Sequence, residues 1–476
     1  MTEKHNASFE SRAFIWLSLS CAGWFVDALL FMVDPSSSAI PVVSALSLTF
    51  GALLIVRAPL FGLYLLPLPM MIGPVYAFSF YGIGFVTAGD LYSTVLIIRS
   101  FFMDFPPMRR AGKQILLIGL LLLMLGTVFS VDLNASIVGF SRILQYALLV
   151  RVSLIFIQRP AEYRMLFNSW VFITTLCSIM MLWHFFSGRM NMVYWVRTPG
   201  YDESLNFERF DVFFRAYFFY SNFFIPIGLS LIYSFIAILK RIEPSRMVKM
   251  LLLATIPVNI IALIMNNTRS MIIPVIVSCG VVAAWTFWRS FFRASAKFRK
   301  IVVLILISVF GIALLLGSLI TAPQRYALFE RAINEEAVVL RLSVWDSATS
   351  RILDNPFRLL FGWGPQATLR QSERPFMQKL LTGSLGNTEG AFDSAIIGFI
   401  VEFGLVLSTL VFIYIAIWFF ALIGHYKANQ DPAVLSVLVM AAALLFCHIF
   451  QQFSFTPPGL IALQVFAIQP HICPPA

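Results

Sequence analysis

Residues 341–365 read RLSVWDSATSRILDNPFRLLFGWGP, and residues 392–405 read FDSAIIGFIVEFGL. Residues 366–391, between them, are mostly polar. The first piece holds an apolar stripe, a proline and a Gly-Trp-Gly turn, and the second carries two acidic residues, Asp393 and Glu402, into a strongly apolar run. A polar loop that feeds carboxylates into such a run belongs beside a membrane, where charges inside a span are costly and mark function.

The rest of the chain supplies that membrane scaffold. Hydrophobic residues make up 59% of it and charged residues 12%, and the mean hydropathy is +0.85, far outside the soluble globular range. Apolar runs of about 20 residues suit helices crossing a hydrocarbon core of about 30 Å. They do not match the short alternating strands of an outer-membrane barrel. The expected spans are 13–31, 39–56, 59–80, 86–102, 114–130, 137–157 and 165–187, then 212–239, 250–265, 270–288, 301–321, 392–423, 433–451 and 457–470. The expected fold class is therefore all-α, a polytopic integral membrane protein of about 12–14 transmembrane helices. Residues 1–321 carry helices 1–11 with a smaller loop near 188–211, residues 322–391 form one large loop, and residues 392–476 hold the C-terminal helices.

Lys and Arg are retained on the cytoplasmic side of short loops. With the N-terminus inside, the cytoplasmic connections collect 19 of the 34 basic residues, among them Arg57, Arg109, Arg110, Lys240, Arg299 and Lys300. Short loops near 32–38, 81–85, 131–136 and 452–456 hold none. The net charge of +11 is thus expected to report topology, and no nucleic-acid partner is implied. The five cysteines show no pairing or metal spacing, and the first apolar segment reads as a retained helix.

From Asn334 the large loop has helical periodicity ending at Asn355-Pro356. Val338, Arg341, Leu342, Trp345, Ala348, Thr349 and Ile352 share one face, which on a membrane surface would turn Arg341 and Trp345 toward the bundle. The alternative is a helix that only seals the bundle. Charges within spans are Asp27, Arg142, Arg151, Arg215, Asp393 and Glu402, with Arg269 at a span end. Arg151 can snorkel to the cytoplasmic surface, while Asp27 and Glu402 have helix pairing as the alternative to function. Arg142, Arg215 and Arg269 all lie within a turn or two of the non-cytoplasmic face, where they can cluster with Arg341.

These residues resemble the bacterial O-antigen polymerase and O-antigen ligase superfamily, including its exopolysaccharide polymerase members. The resemblance runs from about 255 to 420 and rests on three pieces in order. MNNTRSMIIPVIV (265–277) is similar to that family's short turn with an Arg-Ser pair. Arg341, Trp345, Ala348, Ile352, Pro356, Gly362 and Gly364 follow its spaced pattern. DSAIIGFIVEFGL (393–405) is similar to the helix after its large loop. Ligase members carry His-Asn where this chain has Asp393-Ser394, which favours a polymerase.

The resemblance implies a protein of the bacterial inner membrane whose large loop is periplasmic, which agrees with the cytoplasmic N-terminus expected from the sorting of Lys and Arg. It also implies transfer of undecaprenyl-diphosphate-linked oligosaccharide, as donor and as acceptor, without metal or cofactor. Chain-length regulator and flippase proteins are the implied protein partners. Arg269, Arg341 and Asp393 would be catalytic, and Arg142, Arg215, Trp345 and Glu402 would bind substrate. A glycosyl diphosphate leaves as an anion, and planar guanidinium forks hydrogen-bond its oxygens in pairs. Asp393 would orient or deprotonate the acceptor hydroxyl. Rival readings are ligase-like transfer to lipid A core, and a lipid-linked oligosaccharide flippase or transporter.

Overall fold

The computed structural model describes residues 39–72, 78–80, 84–86, 88–103, 110–131, 133–157, 160–186, 224–240, 246–266, 269–291, 355–365 and 395–450, with isolated positions between 19 and 30 and at 242 and 353. In chain order these form α1 (Ala39–Arg57), α2 (Pro59–Leu65), α3 (Pro67–Ile72), β1 (Phe78–Phe80), β2 (Gly84–Val86), α4 (Ala88–Phe101), α5 (Arg110–Val128), α6 (Leu133–Phe156), α7 (Pro160–Phe186), α8 (Phe224–Leu239), α9 (Arg246–Asn266), α10 (Arg269–Phe291), α11 (Pro356–Phe361), α12 (Ala395–Asn429) and α13 (Pro432–Phe450). The chain is an all-α polytopic membrane protein, with one small antiparallel hairpin pairing Phe78 with Val86 and Phe80 with Gly84. Among the described residues, three helical stretches, Glu162–Trp183, Arg246–Met265 and Gly398–Asn429, are long and apolar enough to cross a bilayer by length and composition.

Proline sets several helix starts, because its missing N–H costs nothing in the first turn. Pro59, Pro67, Pro160, Pro356 and Pro432 each open a helix. The same rule corrects the expected span 59–80. That run is two short helices followed by β1, since Pro67 cannot donate into the ladder of α2 and the helix must restart. The expected spans 301–321 and 457–470, and residues 212–223 of the eighth, lie outside the described residues.

The packing centre is α8. Nearly all of its residues are buried, and it lies against α7, α9, α10 and α13. Tyr233 of α8 stacks on Phe167 of α7 with centroids 5.0 Å apart, and Phe167 also meets Tyr163 at 4.6 Å. Gly228 lets α10 approach, since a Cβ there would fall 2.3 Å from the Met271 methyl; small residues at such crossings are what bring membrane helices together. Fully buried Asn259 of α9 bridges to α7, accepting from Ser178 and donating to Thr175, both at 2.9 Å. A separate apolar cluster of Leu123, Phe403 and Leu407 joins α5 to α12, with Phe140 and Ile143 of α6 packed against it. The candidate site is built on this second cluster.

Candidate active site

The site begins with the Asn355-Pro356 pair, expected only as a helix stop. It is a helix start. The Asn355 carboxamide oxygen accepts from the N–H groups of Phe357 (3.1 Å) and Arg358 (3.2 Å), and Pro356 occupies the first turn of α11. Arg358 then reaches sideways, donating from Nη1 to the Phe129 carbonyl at 2.5 Å. Phe357 meets the Phe129 ring edge-on at 5.3 Å. Partial burial lowers the Arg358 pKa from its ordinary value, although a guanidinium stays charged at any physiological pH.

After α11 the backbone bends through Gly362-Trp363-Gly364 and is held on both sides. The Trp363 N–H donates to the Val401 carbonyl (2.8 Å), and the Gly364 N–H donates to the Glu402 carbonyl (3.0 Å). On the other side the Trp363 carbonyl accepts from the Val131 N–H and from the Ser130 hydroxyl, each at 2.9 Å. Ser130 and Ser136 hydroxyls lie 2.5 Å apart. A single residue of the loop thus bridges α12 to the turn between α5 and α6.

This bridge exists because α12 is broken at Gly404, which has φ 71° and ψ 175°. In an unbroken helix the carbonyls of Val401 and Glu402 would accept from residues 405 and 406. At the break they accept from the loop, which answers the requirement that buried backbone groups find partners. The Ser408 hydroxyl spans the break by donating to the Phe399 carbonyl at 3.0 Å. Glu402 is fully buried and Trp363 nearly so.

Two of the glycines are required by backbone geometry. Gly362 (φ 74°, ψ −171°) and Gly404 occupy a region open essentially only to glycine. A Cβ at Gly362 would lie 2.3 Å from the Glu402 carbonyl oxygen, and one at Gly404 would lie 2.2 Å from that of Leu360. Gly404→Ala is therefore expected to cost at least about 1–3 kcal/mol and to pry the loop from α12. The check is the thermal midpoint of the detergent-solubilised chain, with Gly424→Ala as control because nothing lies within 4 Å of a Cβ there. Equal midpoints for the two variants would show that the break is not held by this joint.

Residues 251–412 match the family model described as O-antigen ligase. Over those residues the chain is similar to the O-antigen ligase family. The matched segment takes in most of α9, then α10, α11 and α12 past the break, so the joint between loop and helix lies inside the matched residues. No curated protein matches the chain. The match supports a membrane location and glycan transfer of the O-antigen ligase or polymerase type in general.

Among the residues expected to serve the O-antigen superfamily chemistry, Glu402 sits at the break, fully buried beside the loop. Arg142 of α6 is a half-buried member of an ion pair with Asp90 of α4. Arg269 is the first residue of α10. Arg215, Arg341, Trp345 and Asp393 lie outside the described residues, so of the expected arginine cluster the described residues include Arg142, paired with Asp90, and the backbone of Arg269. Sequence reasoning passed over Asp90, Ser93, Gln145, Ser130 and Arg358. For Asp90 the signal was present, an acid at the head of a span facing an arginine elsewhere.

Proposed function

We propose that this chain is a polysaccharide polymerase, transferring undecaprenyl-diphosphate-linked oligosaccharide repeat units onto a growing chain at the periplasmic face of the inner membrane. The observation that carries the reading is the superfamily match over 251–412, the segment in which the large loop is hydrogen-bonded into the break of the helix that follows Asp393. In this reading Arg269 and Arg341 take the diphosphate, whose charge grows as the glycosidic bond to it breaks. Paired N–H groups aimed at that charge stabilise the transition state. Asp393 accepts the proton of the attacking hydroxyl on the acceptor sugar. Trp345, Arg215 and Glu402 contact donor or acceptor, and no metal or cofactor takes part. Asp393-Ser394, in place of the ligase His-Asn, supports polymerisation over ligation.

The test is purified protein given radiolabelled lipid-linked repeat units alone. A ladder of longer lipid-linked chains is the expected product. Transfer only when lipid A core is added would make the chain a ligase, the second reading that the family description favours. Movement of the lipid across a vesicle bilayer without bond formation would make it a flippase.

A further inference from the structure

Many buried hydroxyls in this bundle close back onto their own helices. Thr127, Ser153, Thr175 and Ser178 each donate to the carbonyl four residues earlier, at 2.7 to 3.1 Å, and Thr255 and Ser436 donate to the carbonyl three residues earlier. That is how a hydroxyl finds a partner where lipid offers none. Thr174 of α7 and Ser230 and Ser234 of α8 depart from it. Their hydroxyl oxygens, together with the Trp170 indole nitrogen, have no hydrogen-bond partner among the described residues, and each of the four residues is at most 3% exposed.

Helical periodicity gathers these groups. On α7, Phe167, Trp170 and Thr174 fall at i, i+3 and i+7 and share a face; on α8, Ser230, Tyr233, Ser234 and Ala237 fall at i, i+3, i+4 and i+7. The Phe167–Tyr233 stack, with centroids 5.0 Å apart, belongs to both stripes and turns one toward the other. Trp170 in turn lies against Phe167, at 5.6 Å. Small side chains at Ser230, Ser234 and Ala237 keep α8 slim on that face.

We propose that Trp170, Thr174, Ser230 and Ser234 bind ordered water between α7 and α8. Left dry, these groups would lose their hydration with nothing in exchange, which costs more than a typical hydrogen bond contributes. Water suits the set chemically. An indole N–H can only donate and a hydroxyl can do either, so a molecule that both accepts and donates satisfies all of them, and a buried water ordinarily has about three partners. A metal cation does not suit it, because the indole turns the positive end of its N–H outward. An anion would bring a charge into the apolar core that none of the four groups balances.

The experiment is X-ray radiolysis of the full chain in detergent, in which bound water yields hydroxyl radicals that oxidise the side chains beside it, read by mass spectrometry. Trp170 is expected to be oxidised. Trp24, also buried but with its indole N–H donated to the Tyr92 hydroxyl at 3.3 Å, is expected to stay intact. Ser230→Ala and Ser234→Ala combined remove two partners of the water and should lower Trp170 oxidation several-fold. Thr174→Val keeps the side-chain shape and should lower the thermal midpoint; if the hydroxyl were dry, valine would raise it by removing a desolvated group. Trp170 oxidised no more than Trp24, oxidation unchanged in the double serine variant, or a midpoint unmoved or raised in Thr174→Val would each overturn the water site. The comparison of Trp170 with Trp24 needs no variant, so it decides the matter even where a substitution prevents folding.

Discussion

Arg341→Lys and Arg269→Lys are each expected to yield no detectable polymer from lipid-linked repeat units while accumulating to normal levels in the membrane. The reasoning is geometric. A guanidinium presents N–H groups in a fixed planar fork that meets two oxygens of a phosphate at once, and an ammonium of the same charge offers a single rotating point. If the diphosphate leaves without a metal, those paired contacts carry much of the stabilisation of its developing charge, and removing one donor of this kind typically costs about 10²–10³ in rate. Arg358→Lys is the internal contrast. Its guanidinium donates to backbone carbonyls of Phe129 and Gly362, which a single ammonium can also reach, so that variant should keep most of its activity. Near-normal chain growth in Arg341→Lys and Arg269→Lys would assign both arginines to anchoring rather than chemistry.

Asp393→Asn is expected to fold and to bind lipid-linked donor, yet to extend the glycan about 10²-fold more slowly or worse, the usual range for a lost general base. Asparagine keeps an oxygen that can cap the head of a helix but cannot accept a proton at neutral pH. The comparison variant is Glu402→Gln. Glu402 is fully buried at the break of α12, with its own carbonyl held by Gly364. If Glu402→Gln stalls the reaction and Asp393→Asn does not, proton transfer belongs to the carboxylate at the joint. Single-turnover rates at saturating donor separate this from a binding defect.

Hydropathy made the scaffold legible because a membrane leaves few options: every backbone group must be satisfied within the span, so long apolar runs become helices. Runs such as 39–56 and 433–451 emerge as Ala39–Arg57 and Pro432–Phe450. The run 59–80 failed the same treatment, since hydropathy does not register that Pro67 interrupts the ladder. The break in α12 was hidden for a different reason. Glycine is common in transmembrane helices, and nothing local in the sequence separates Gly404, which turns to positive φ against the carbonyl of Leu360, from Gly424, which meets nothing. The Gly-Trp-Gly turn was visible as a motif, but its role as backbone partner to Val401 and Glu402 depends on two helices and a loop arriving together. Arg142 was recognised as a charge inside a span. Its neutralisation by Asp90 needed the packing of α4 on α6.

The break also sets a depth. Beyond Gly404 the apolar run from 405 to 424 has a helical length of about 30 Å, which is by itself the thickness of a hydrocarbon core, and it is followed by His425, Tyr426 and Lys427. If that lower rod alone spans the lipid tails, the short upper rod from Ala395 to Phe403 stands clear of them. Glu402 and the stitched loop then float at headgroup level, the plane in which the phosphates of a lipid carrier travel. A donor would need no lifting out of its leaflet to reach the joint. Its sugar would slide in along the surface while its tail stayed dissolved.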